Sequence, residues 1–145
     1  MKVSPAIAHL ATRCEPSLAL DADSERALRE LDGILAGLAG ELQVEYYGPE
    51  VGLGAGQPVY RLVVREHLGG AGEKAWGLKV CTALPQANWR ADWSIHAVAR
   101  RRKRAVIAAL PAFFAGYAAA IAQADKGASA AGVRIAQLAQ LFRGR

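Results

Sequence analysis

The chain has 145 residues, 52% hydrophobic and 21% charged, which excludes a disordered polymer and fits one globular core. Its net charge of +5 conceals an asymmetry: Met1 to Gly72 carry 6 Lys/Arg against 10 Asp/Glu, net −4, and Glu73 onward carries 12 against 3, net +9. Such halves can satisfy each other within a fold or between subunits, or the basic half can take an outside anion.

The start, "MKVSPAIAHLATRCEP", is broken as a secretory core by Ser4, Pro5, His9 and Arg13. Residues 1–20 are therefore expected to be an irregular N-terminal segment, and 21–145 a single α+β domain. Cys14 and Cys81 stand alone, without Cys-x-x-Cys or a His pair, so neither disulfide nor zinc is signalled. No metal or cofactor is expected, and the setting that fits is a reducing cytoplasm.

From Asp21 the period is helical: Leu28, Leu31, Leu35 and Leu38 share a face, Asp21 or Asp23 can cap it, and Gly40 reads as the stop. The period then falls to two. "ELQVEYY", "VYRLVVRE", "KAWGLKVCT" and "NWRADWSIHA" alternate and are separated by turn-forming stretches, which predicts a four-stranded antiparallel meander. Gly52, Gly54 and Gly56 resemble a nucleotide loop but precede a strand, so no helix N-terminus is there to hold phosphate.

Hairpins centred on the three loops place Val44, Leu62, Leu78 and Trp93 in one dry row, with Tyr46, Tyr60, Val80 and Ala91 in the next. The same registers set Glu45, Arg61, Lys79 and Asp92 side by side on the wet face. Its two acid–base pairs would each be worth about 0.2–1 kcal/mol.

"RRRKRAVIAALPAFFAGYAAAIA", Arg100 to Ala122, is five cations followed by eighteen uncharged residues. A bilayer span needs about 20 apolar residues, so a buried helix is the expectation and a membrane span is not. Ile107, Leu110, Phe114, Tyr117 and Ile121 form its large stripe, and Ala108, Ala112, Gly116 and Ala120 form a small ridge suited to a second helix. "ASAAGVRIAQLAQLFRGR" supplies that helix. A break or kink is expected at Leu110-Pro111, with a helical turn beginning at Pro111.

Asp92, Ser94 and His96 have the residue types of a triad, but alternate strand positions lie about 6.7 Å apart, beyond the reach of a nucleophile and its base. His9 and His67 have no second ligand at metal spacing and are expected to be exposed. Trp76, Trp93, Phe114 and Tyr117 would wall any apolar pocket between sheet and helices.

The fold expected is thus a two-layer α+β domain, with an N-terminal helix and two C-terminal helices on one face of the meander. The function expected is a non-enzymatic binding or assembly module with no identified catalytic residue. A homodimer is expected through the outer sheet face, where Tyr47, Val59, Val63, Gly77 and Cys81 look too apolar to stay wet, or through an edge strand. Arg100, Arg101, Arg102, Lys103 and Arg104 are the anion- or partner-binding candidates. The alternatives are nucleic-acid binding through that run, and a carrier or enzyme using the aromatic pocket.

Overall fold

A computed structural model of the chain describes residues 3–14, 20–51, 60–68, 71–83 and 89–143, apart from the side chains of 83 and 89–92. In chain order the elements are α1 (Pro5–Ala11), α2 (Ala22–Leu42), β1 (Tyr46–Glu50), β2 (Tyr60–Leu68), β3 (Lys74–Ala83), β4 (Trp89–Ser94), α3 (Arg100–Gln123) and α4 (Ala130–Arg143). The strands form one antiparallel sheet in the order β1-β2-β3-β4. The α+β class and the meander are as the alternation predicts.

The start is not irregular throughout. Ser4 caps α1, its hydroxyl accepting from the Ile7 N–H at 3.2 Å, Pro5 opens the first turn, and Ile7 and Leu10 enter the core. Ser-Pro is a helix-start signal, since proline has no N–H to leave unpaired in the first turn. In α2 the Asp21 carboxylate accepts from the Ser24 N–H at 2.7 Å, and Leu28, Leu31, Leu35 and Leu38 are all buried. The helix passes Gly40 and ends beyond Leu42, where Gln43 turns left-handed at φ 52°. Leu42 is consequently helical, and the first strand begins only at Tyr46.

The registers also differ from those expected. Tyr46 faces Val64, not Tyr60; Leu62 faces Val80, not Leu78; Val80 faces Trp93, not Ala91. These three displacements are even, so Leu62, Val64, Leu78 and Val80 stay on the dry face while their neighbours change; beyond the irregularities Glu50 faces Arg61 and Cys81 faces Ala91, an odd displacement. Leu62, Val64, Leu78 and Val80 join the core that also holds Leu28, Leu35, Phe113 and Phe114. Irregularities at Tyr47/Glu50 and Val80/Cys81 bend the two outer pairings.

Helix α3 continues through Pro111 without a break. Its stripe is as predicted: Ile107, Leu110, Phe114, Tyr117 and Ile121 are buried, and α4 packs on it with Phe142 stacked on Phe114 at 4.9 Å. The small ridge does something else. Gly116 lies under the Tyr46 hydroxyl, where a Cβ would overlap the phenol, so the gap receives a side chain of β1 and not a second helix. Tyr46 stacks there on Tyr117 (centroids 5.8 Å apart, 18° between planes) and tilts against Phe113. Among the described residues α3 is the one helix long and apolar enough, by length and composition, to cross a membrane. The short-run argument against a span therefore fails on length, although the large residues of this helix are buried in the protein's own core.

The other sheet face is drier than a solvated surface. Val63 and Cys81 are fully buried and Gly77 is buried within the single chain, leaving Tyr47 as the exposed apolar member; Val59 lies outside the described residues. The apolarity from which a homodimer is expected is thus largely covered by the chain itself.

Candidate functional site

Helix α3 opens at Ala99, which offers no side-chain cap, and its first turn contains no acid. Among the described residues one carboxylate answers the cations that follow. Glu25 of α2 accepts from Lys103 Nζ at 2.8 Å and lies 3.6 Å from Arg100 Nη1. The Lys103 hydrogen bond and charge, with a smaller contribution from Arg100, hold the Glu25 carboxyl below the usual carboxylate range. Arg100 also donates to the Leu20 carbonyl at 3.3 Å.

Arg102 turns inward and is only 8% exposed. It donates to the Val51 carbonyl at 3.0 Å, and its guanidinium carbon lies 3.4 Å from the centroid of the Tyr60 ring. A cation on a desolvated aromatic face is worth roughly 2 kcal/mol, which helps offset the cost of burying the charge. Tyr60 in turn stacks on Trp93 of β4, centroids 5.5 Å apart and planes at 25°. Trp93 is 40% exposed, against the core placement its alternation implies. Arg101 and Arg104 are exposed and have no carboxylate partner among the described residues. The predicted basic run is thus divided: two cations tied to α2, one buried on an aromatic ring, two open.

The predicted charged row is not assembled. Glu45 precedes β1, Arg61 pairs with Glu50 at 3.1 Å and faces Cys81, and Lys79 lies between Val63 and Ser94. Asp92 falls at the irregular position of β4, and its side chain lies outside the described residues. The rows depend on exact loop length, which alternation does not encode.

The predicted aromatic pocket is dispersed as well. Phe114 and Tyr117 are core residues, Trp93 is on Tyr60, and Trp76 lines a cavity of about 260 Å³ with Asp32, Ala36, His67, Gly77 and Lys79. None of the other three aromatics reaches that cavity.

A second polar group gathers beside Trp76. Asp32 of α2 lies 3.5 Å from His96 Nδ1, and Lys79 Nζ donates to Ser94 Oγ at 3.1 Å. Burial raises the Asp32 carboxyl, and its electrostatic interactions with His96 and Lys79 oppose the rise. His67, expected to be exposed, is 5% exposed; its Nε2 meets the Val63 carbonyl at 3.3 Å and its Nδ1 is buried without a partner. Burial lowers the imidazole to about 4, so the ring is neutral at pH 7. His9 is only partly exposed and meets Asp21 at 3.1 Å. Ser94 Oγ accepts from an ammonium on the neighbouring strand, whereas a nucleophile needs a base that accepts its proton. His96, past the end of β4, turns to Asp32 instead of to Ser94. No group of three or more His, Cys, Asp or Glu able to hold a metal occurs among the described residues.

Comparison with protein-family models, with curated proteins and with solved structures finds no match for this chain. The chemistry must be read from the surface itself. Sequence reasoning found the cations and looked to the acidic half, where Glu25 lies, for their compensation, but missed Tyr60, because that contact joins residues about 40 positions apart in the chain.

Proposed function

We propose that the protein is a non-enzymatic binding module that receives a polyanionic partner at the first turn of α3. One observation carries the reading: five consecutive cations meet a single described carboxylate, and Arg101 and Arg104 are left open to solvent. Positive charge at a helix N-terminus is disfavoured by the dipole, by roughly 0.3–1 kcal/mol per exposed residue, so an arriving anion relieves a standing cost. Exposed guanidinium groups also suit phosphate, sulfate or carboxylate oxygens through paired N–H donors.

Retention on immobilised heparin tests this directly. The protein should bind at low salt and elute at a salt concentration that falls when Arg101 and Arg104 are both changed to Ala. Passage without retention, with the circular dichroism of a folded protein, would refute the reading. Self-association has less support here than the exposed arginines do, since Val63, Gly77 and Cys81 are already buried in one chain.

A further inference from the structure

The geometry points to single-stranded nucleic acid as the polyanion, with a base stacking on Trp93 and phosphates further along the strand on Arg101 and Arg104; this rests on the polyanion reading above. Three planar groups meet at one end of the sheet: the Arg102 guanidinium on Tyr60 at 3.4 Å, and Tyr60 against Trp93 at 5.5 Å. Only the last is open, 40% exposed on a strand at the edge of the sheet. An exposed indole held in place by a ring and a buried cation is a rigid platform, and its aromatic face is sequence-tolerant because every base has a π-face.

Charge and shape narrow the partner. The basic residues lie on α3, the helix whose Arg102 supports the platform; Arg101 and Arg104 are neighbours three positions apart on its surface, turned away from the side that Arg102 presents to Tyr60, so a strand must pass round the helix end to reach both. Beyond its first turn that helix is embedded through Val106, Ile107, Leu110, Phe113 and Phe114, so its body cannot enter the major groove of a duplex. A strand with unstacked bases can use both the ring and the arginines, whereas duplex DNA presents phosphates but hides its base faces. A sulfated polysaccharide can use only the arginines.

Fluorescence anisotropy with a labelled oligothymidylate of about 15 nucleotides, beside heparin retention, separates these possibilities. Trp93→Ala should weaken oligothymidylate binding roughly 5- to 150-fold, the equivalent of about 1–3 kcal/mol for one stacked base, and leave heparin retention unchanged. Trp93→Phe should keep most of the affinity, and quenching of indole emission by the oligonucleotide should be smaller in that variant. Arg101→Ala with Arg104→Ala should weaken both ligands. Unchanged oligonucleotide affinity in folded Trp93→Ala would overturn the stacking site while leaving the polyanion reading intact. So would tighter binding of a duplex of equal length, or retention on heparin without oligonucleotide binding. Failure to bind either ligand would remove both.

Discussion

The two ends of α3 solve opposite problems. Its first turn gathers charge that the fold neutralises only in part, with Glu25 serving Arg100 and Lys103. Its body gathers aromatic surface that the fold covers completely, with Phe113, Phe114 and Tyr117 fully buried against Tyr46 and Phe142. The difference teaches where this chain tolerates change. Packing binds the body to its neighbours through shape, while the open arginines touch almost nothing that folding requires.

The largest effect should come from the packed end. Phe113→Ala removes a ring that meets Tyr46, Phe114 and Tyr117, and urea melts should show a loss of about 3–5 kcal/mol. A loss below 1 kcal/mol would mean that the aromatic cluster is not the anchor of the fold.

Acid probes the sheet instead of the helix. Burial, the main cause, holds the His67 imidazole at about 4, below its usual value, aided by the charges of Arg65 and Lys79 and opposed by the Val63 carbonyl. The unfolded chain therefore binds a proton more readily than the folded one between pH 6.5 and about 4. Stability that is complete above the upper value is lost as pH falls through this window, by up to about 3 kcal/mol. Asp32, with its carboxyl raised by burial, acts in the opposite sense above its usual value. Comparing wild type with His67→Gln at pH 7 and pH 4.5 cancels that contribution, and the variant should show the flatter profile.

Gly116→Ala sharpens the contrast within the helix, since elsewhere Ala favours a helix over Gly. Here the methyl group meets the Tyr46 phenol, and the net loss should be about 1–3 kcal/mol in thermal or urea unfolding. Adding Tyr46→Phe removes the overlapping oxygen and should recover part of it, which a double-mutant cycle would read. The smallest effect belongs to the charged end: Arg101→Ala with Arg104→Ala should change stability by no more than about 0.5 kcal/mol. A larger loss would mean that these arginines hold the fold and are not reserved for a partner.

Much of this architecture was legible because periodicity encodes facing. Leu62, Val64, Leu78 and Val80 turn to the core as their alternation predicts, and Ile107, Leu110, Phe114, Tyr117 and Ile121 form the predicted stripe. What periodicity does not encode is which residue lies beside which. Extending α2 to Leu42 delays β1, and the Glu45–Arg61–Lys79–Asp92 row dissolves as the pairings shift and irregularities interrupt the β1–β2 and β3–β4 ladders. The candidate site was legible in its charges and not in its geometry. Arg102 reads like its four neighbours in the sequence, and only the meeting of α3 with Tyr60 makes it the buried one.

The unequal lengths of β3 and β4 carry a consequence for assembly of the sheet. β4 pairs with Lys79 to Ala83, so the half of β3 from Lys74 to Leu78 has its ladder partner on the β2 side, and among the described residues no strand pairs with its other side. Helix α2 packs on β3, and a methyl group added at Gly77 would lie 3.9 Å from Ala36, so the helix stands where it can obstruct a strand arriving from another molecule. Helical turns form in under a microsecond and hairpins take longer, so the obstruction can be in place while the meander is still closing. α2 is then a kinetic guard as well as a core element: a chain slow to fold this helix would expose a bare strand edge at the stage when neighbouring chains can zip onto it.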